Sequence, residues 1–175
     1  MTSKLQAISG VSSSSEAEVM TIYPSIGSTG LGRMLGSLYD SIPIKINGIK
    51  LSYMMFPLPT APVGLALYSF LKALGNTYQI TNRSVKIWQM LLGSRSSLAK
   101  QVALTDIDRV EVVQLPGQAF YKAADLVLFG ADGGTLLRLA GVPRADVFRA
   151  TIMKAVAARK QTIEALAQIE ARQTT

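Results

Sequence analysis

Asp106 and Asp108 stand two residues apart in the stretch "TDID". Paired carboxylates are among the groups that general acid–base catalysis uses. The chain offers little to complete such a site. It has no histidine and no cysteine, which excludes imidazole triads, thiol nucleophiles, disulfides and zinc sites of the Cys/His kind. Aspartate between two apolar runs also serves a turn by accepting local amide hydrogen bonds, and that is the reading favoured for "TDID". Asp125 and Asp132 are likewise read as markers of a strand start and a hairpin. Gly27, Gly30, Gly32 and Gly36 lie in "YPSIGSTGLGRMLGSLYDSIP", but the spacing misses G-x-G-x-x-G, Pro24 interrupts the preceding strand and no Walker lysine follows. No catalytic residue, metal ligand or cofactor is expected.

Charge and hydropathy are more informative. The net charge is +7, and no acidic residue occurs between Asp40 and Asp106. That window holds Lys45, Lys50, Lys72, Arg83, Lys86, Arg95 and Lys100, seven of the eighteen basic residues, leaving eleven to balance eleven acidic ones. It also contains "YMMFPLPTAPVGLALYSFL", Tyr53 to Leu71, without a charged side chain. Basic residues flanking an apolar run suit contact with anionic lipid better than nucleic acid, which favours basic residues interleaved with exposed aromatics. Lys50, Tyr53, Phe56, Tyr68, Phe70 and Lys72 are the candidate membrane contacts.

The elements that would position these residues follow from pattern. The opening "MTSKLQAISGVSSSSEAEVM" reads as a Ser-rich mobile tail over 1–20, with no secretory leader. A hydrophobic, membrane-associating segment is expected over 21–75. It holds a short helix near Leu31–Tyr39, with small residues for packing on lipid or another helix, and an Asn47-Gly48 turn. A further helix is expected from Pro62 to a terminating Gly75. Three readings of the apolar run stay open: a shallow hairpin re-entering at "PLPTAP", a kinked span, and a buried soluble segment. From Asn76 the chain alternates through six short strands, "TYQITN", "RSVKIWQML", "SLAKQVALTDI", "RVEVVQ", "ADLVLFG" and "TLLRLAG", read as an antiparallel meander closing on itself. Trp88 is placed in its core. Pro143 precedes a helix whose first half should pack on the sheet opening and whose residues 161–175 form a helical tail.

Four words in order, "YQITNRSV", "ALTDIDRVEVVQ", "ADLVLFG" and "AGVPRADVFRATIMKAV", resemble the bacterial pleckstrin-homology-like (PH) domain family over about Thr77–Arg159. The resemblance implies a mainly β half-open barrel of antiparallel strands capped by one C-terminal helix, over about 76–160. It implies a binding or scaffolding role in place of chemistry. Eukaryotic relatives hold phosphoinositide head groups by basic residues in and beside their first hairpin. The nearest positions here are Arg83 and Lys86, then Arg95 and Lys100, as candidate head-group or acidic-partner contacts. Phe120 and Tyr121 in "GQAFYK" are candidate partner contacts on an exposed loop. The sequence therefore points to a non-enzymatic, membrane-associated adaptor with its barrel on the cytoplasmic side, binding anionic lipid and a protein partner but no nucleic acid, and compatible with a homo-oligomer. A soluble lipid or small-ligand carrier whose apolar run lines a cavity, and a structural subunit of a large membrane assembly, are the alternatives.

Overall fold

The computed structural model of the chain describes residues 16–173; the Ser-rich stretch before residue 16 lies outside them. Mainly β architecture follows from alternation. In β4 (Asn76–Thr81) and β5 (Ser84–Leu91), Tyr78, Ile80, Val85 and Ile87 turn into one core, as the two-residue period of a strand requires. β6 (Ser94–Ala103) completes this run, and β7 (Arg109–Val113), β8 (Ala123–Phe129) and β9 (Thr135–Pro143) form a second antiparallel sheet. The six strands do not close as one meander: β6 and β7 do not pair, and the "TDID" turn carries the chain between the sheets, with Asp106 N–H donating to Ala103 O.

A strand missed in the sequence extends the first sheet. β1 (Glu18–Ile22) pairs antiparallel with β4, giving the order β1-β4-β5-β6. The boundary drawn at residue 20 therefore runs through a strand. Tyr78 ties the two sheets, its hydroxyl donating to Ala140 O at 3.0 Å and accepting from Ala140 N–H at 3.1 Å. Burial pushes this phenol up to about 12, so it stays protonated.

α4 (Ala145–Gln173) caps the core by Phe148, Ile152 and Val156, all buried and four apart on one helical face. Beyond Val156 the described residues of α4 are half-buried or exposed, so its second half projects, as expected. Trp88 departs from its expected place in the core. It lies half-buried on the opposite face of β5 from Ile87, with its indole N–H donating to Gln79 Oε1 at 2.7 Å.

Between β1 and β4 the chain leaves the sheet for more than fifty residues. This insertion holds α1 (Gly30–Ser41), a small hairpin of β2 (Lys45–Ile46) and β3 (Ile49–Lys50), α2 (Ser52–Met55) and α3 (Pro57–Leu74). Asn47 and Gly48 both take positive φ, the geometry of a two-residue hairpin turn. α3 begins at Pro57, five residues before the expected start. Pro57 and Pro59 are the first and third residues of α3, within the turn whose N–H groups have no intrahelical acceptor, so neither removes a hydrogen bond. Only Pro62 leaves a gap in the ladder. "PLPTAP" is thus the first turns of a helix, and the re-entrant bend, one of the three readings left open for this run, is absent.

Candidate functional site: an apolar helical face

The insertion is fixed to the sheets by backbone packing and one aromatic cluster. Gly36 of α1 sits so close to the β7–β8 loop that a Cβ there would lie 2.0 Å from Gly117 O. Gly36 thus serves close approach to this loop, and a Cβ on Gly32 would meet Ile26 O of the preceding turn at 1.8 Å. Beside this contact, Tyr39 stacks on Phe120 with ring centroids 4.4 Å apart, and Tyr53, Phe56 and Tyr121 meet the pair edge-on. Tyr121 donates to Gly32 O at 2.9 Å, and Tyr39 and Thr60 hydroxyls lie 2.6 Å apart. The cluster corrects two expectations. Phe120 and Tyr121 are half-buried clamps in a short 3-10 turn, closed by Lys122 at φ 49°, and not free partner contacts. Phe56 likewise faces Tyr39 rather than solvent, while Tyr53 has one face in the cluster and is 40% exposed.

Under the cluster, Asp125 locks the loop. Its carboxylate is 1% exposed and accepts from Gly141 N–H at 2.8 Å, Gln118 Nε2 at 2.6 Å and Arg138 Nη2 at 2.6 Å. Gln118 also donates to Gly27 O, reaching the start of the insertion. Burial alone would raise the Asp125 carboxyl, but these three donors together hold it below the ordinary carboxylate range.

The opposite side of the insertion is uncovered. No residue of α3 is buried, and Lys72 is its one charge. Leu58 is 91% exposed and Leu65 67%, with Val63, Tyr68, Phe70 and Leu74 also exposed. Met54 and Met55 of α2, and Ile44, Ile46 and Ile49 in and beside the small hairpin, are exposed as well. At the far end of α3, Gly93 N–H donates to Ala73 O, which seats the β5–β6 tip beside the helix. That tip presents Leu92, 84% exposed at φ 52°. Leucine is an unusual choice for a left-handed turn position, where Gly, Asn and Asp are favoured. Monomeric soluble proteins rarely expose apolar side chains so closely grouped.

The expected contact residues divide. Tyr68, Phe70 and Lys72 lie on the open face, with Lys72 over the Tyr68 ring at 5.9 Å. Lys50 pairs with Asp40 at 2.7 Å. Of the four candidate head-group residues, Lys86 and Arg95 meet carboxylates of the unforeseen β1 segment: Lys86 Nζ is 2.5 Å from Glu16, and Arg95 is 3.6 Å from Glu18. Lys100 is exposed on β6, and Arg83 lies half-buried at the β4–β5 turn. The acid-free window of the sequence is therefore partly neutralised in space. Only a strand pairing across some sixty residues could have revealed this. Among the described residues no group of acidic side chains is arranged to hold a metal ion.

A family model described as bacterial PH domain matches residues 31–156. The chain belongs to this family. The match ends at Val156, the last buried residue of α4, and begins inside α1, so the apolar helices fall within the PH match. PH domains are binding modules and are generally not catalytic. No curated protein matches the chain significantly. Among the described residues, no helix is long and apolar enough to cross a membrane.

Proposed function

We propose that this PH domain is a non-enzymatic adaptor that lies on an anionic membrane surface through the face of α2, α3 and the small hairpin, and offers its sheets and projecting α4 to a protein partner. The observation that carries the reading is α3 itself, an eighteen-residue apolar helix with no buried residue. Its length of about 27 Å at 1.5 Å per residue falls short of a hydrocarbon core of about 30 Å. A helix lying in the interface needs no such length. Lys45 and Lys72 stand beside exposed leucine, isoleucine and tyrosine, the mixture that anionic head groups and acyl chains accept together. Basic residues on both sides of the apolar run, Lys45 and Lys50 before it and Lys72 after it, fit the cytoplasmic preference for Lys and Arg. The carrier alternative loses its premise: α3 lies outside the core, and Pro57, Thr60, Ala61 and Gly64 line only a crevice of about 160 Å³.

Vesicle flotation tests the reading. The full chain should float with phosphatidylglycerol-containing vesicles, retain part of its binding in high salt, and lose it in the double variant Leu58→Ser, Leu65→Ser. Flotation unchanged in that variant, or no flotation of the wild type, overturns it. A face covered by protein in a larger assembly gives the second result together with a stable complex on extraction.

A further inference from the structure

Two hairpins of the chain turn through the same backbone geometry with different residues. Between Ile46 and Ile49 the turn residues are Asn47 and Gly48, at φ 51° and 83°. Between Leu91 and Ser94 they are Leu92 and Gly93, at φ 52° and 80°. Two positive φ values in succession make the turn for which Asn-Gly is the strongly preferred pair. Asparagine tolerates the left-handed region because its short side chain bonds locally, whereas the leucine Cβ crowds the carbonyl that follows it. Such a misfit persists where contacts of the side chain compensate for it. Leu92 is 84% exposed, so burial among the described residues does not compensate.

The turn is held in place. Met90 N–H donates to Gly75 O at 2.8 Å and Gly93 N–H to Ala73 O at 3.2 Å, which bonds the β5–β6 tip to the end of α3. Leu74, Leu91 and Leu92 are all exposed at this junction, and Lys72 is exposed beside them. A protein partner would have to supply a pocket shaped to a projecting hairpin end. Acyl chains close around an apolar projection of any shape, and the ammonium of Lys72 suits an anionic surface above them.

We propose that Leu91 and Leu92 form a wedge that enters the acyl layer when α3 lies on a membrane, and that Leu92 gives up fold stability for that contact. The inference rests on the membrane reading of α3 and adds a second, separately testable anchor at the far end of the helix from Leu58.

Leu92→Asn, which installs the Asn-Gly pair of the small hairpin, should move stability and binding in opposite directions. Its thermal midpoint should rise by about 2 °C over wild type, while its affinity for phosphatidylglycerol-containing vesicles should fall about tenfold. Leu92→Met keeps an apolar side chain in the same strained position and should leave both near wild type. The chain has no cysteine, so Leu92→Cys carrying an environment-sensitive fluorophore reports on the tip alone, and its emission should shift to the blue on vesicles. If Leu92→Asn floats as wild type does while Leu58→Ser, Leu65→Ser does not, or if the label stays unshifted on vesicles that bind the protein, the wedge is overturned and the membrane reading stands. No flotation of wild type overturns both. A midpoint for Leu92→Asn no higher than that of wild type overturns the exchange of stability for contact.

Discussion

The sheets and the insertion are built from similar apolar residues with opposite fates. In β4 and β5 apolar side chains alternate with polar ones, and the inward set of the sheets, from Ile80 to Leu139, is excluded from solvent. α3 has no such alternation and no buried residue, and touches its neighbours through Thr60, Gly64, Leu67 and Leu71 without covering any of them. Hydrophobic content therefore decides burial only where periodicity gives an element two distinct faces. Where it does not, the apolar surface remains available to something outside the chain.

The sharpest test of this contrast is a pair of truncations. Phe148→Ala removes a ring that is almost wholly enclosed under the sheets and should cost about 3–5 kcal/mol in chemical denaturation. Next in size, Asp125→Ala leaves the Gly141 N–H and Gln118 amide without their acceptor and should cost about 3 kcal/mol. Gly36→Ala places a methyl against the Gly117 carbonyl and should cost about 1–3 kcal/mol. The Tyr39–Phe120 stack should loosen with it, read from the ring resonances. Leu58→Ser at the far end of the scale should move stability by no more than about 0.5 kcal/mol while weakening vesicle binding. A loss as large as that of Phe148→Ala would show that α3 is core after all.

Acid should separate the regions too. Glu16 and Asp125 both have folded pKa values below their ordinary ones. Each contributes stability that is complete above the unfolded value and is lost as pH falls through the folded one. For Glu16 the window runs from 4.5 down to about 2. Denaturation midpoints taken at pH 7, 4.5 and 3 should fall at the last, and by less in Glu16→Gln.

Local signals were readable in the sequence. The β4–β5 hairpin, the Asn47-Gly48 turn, α1 and the capping face of α4 all follow from patterns within a few residues. The misreadings share a cause in distance or in counting donors. β1 looked like tail because its partner is β4, some sixty residues on. Phe120 looked exposed because its partners are Tyr39 and Tyr53. Pro57 and Pro59 stand at the start of α3, where no hydrogen bond is there to lose, so the helix begins before Pro62. The apolar face was legible as composition, but its openness was not, since exposure depends on what the rest of the chain fails to cover.

The contact of Gly36 with Gly117 carries a mechanical consequence. Side chains yield to load by changing rotamer, but two main chains in van der Waals contact have no such slack. A push or pull on α3 passes through α1 into the β7–β8 loop, where Asp125 anchors it to β9. A load applied to the insertion should therefore reach the sheets with little loss, so that the two turn together.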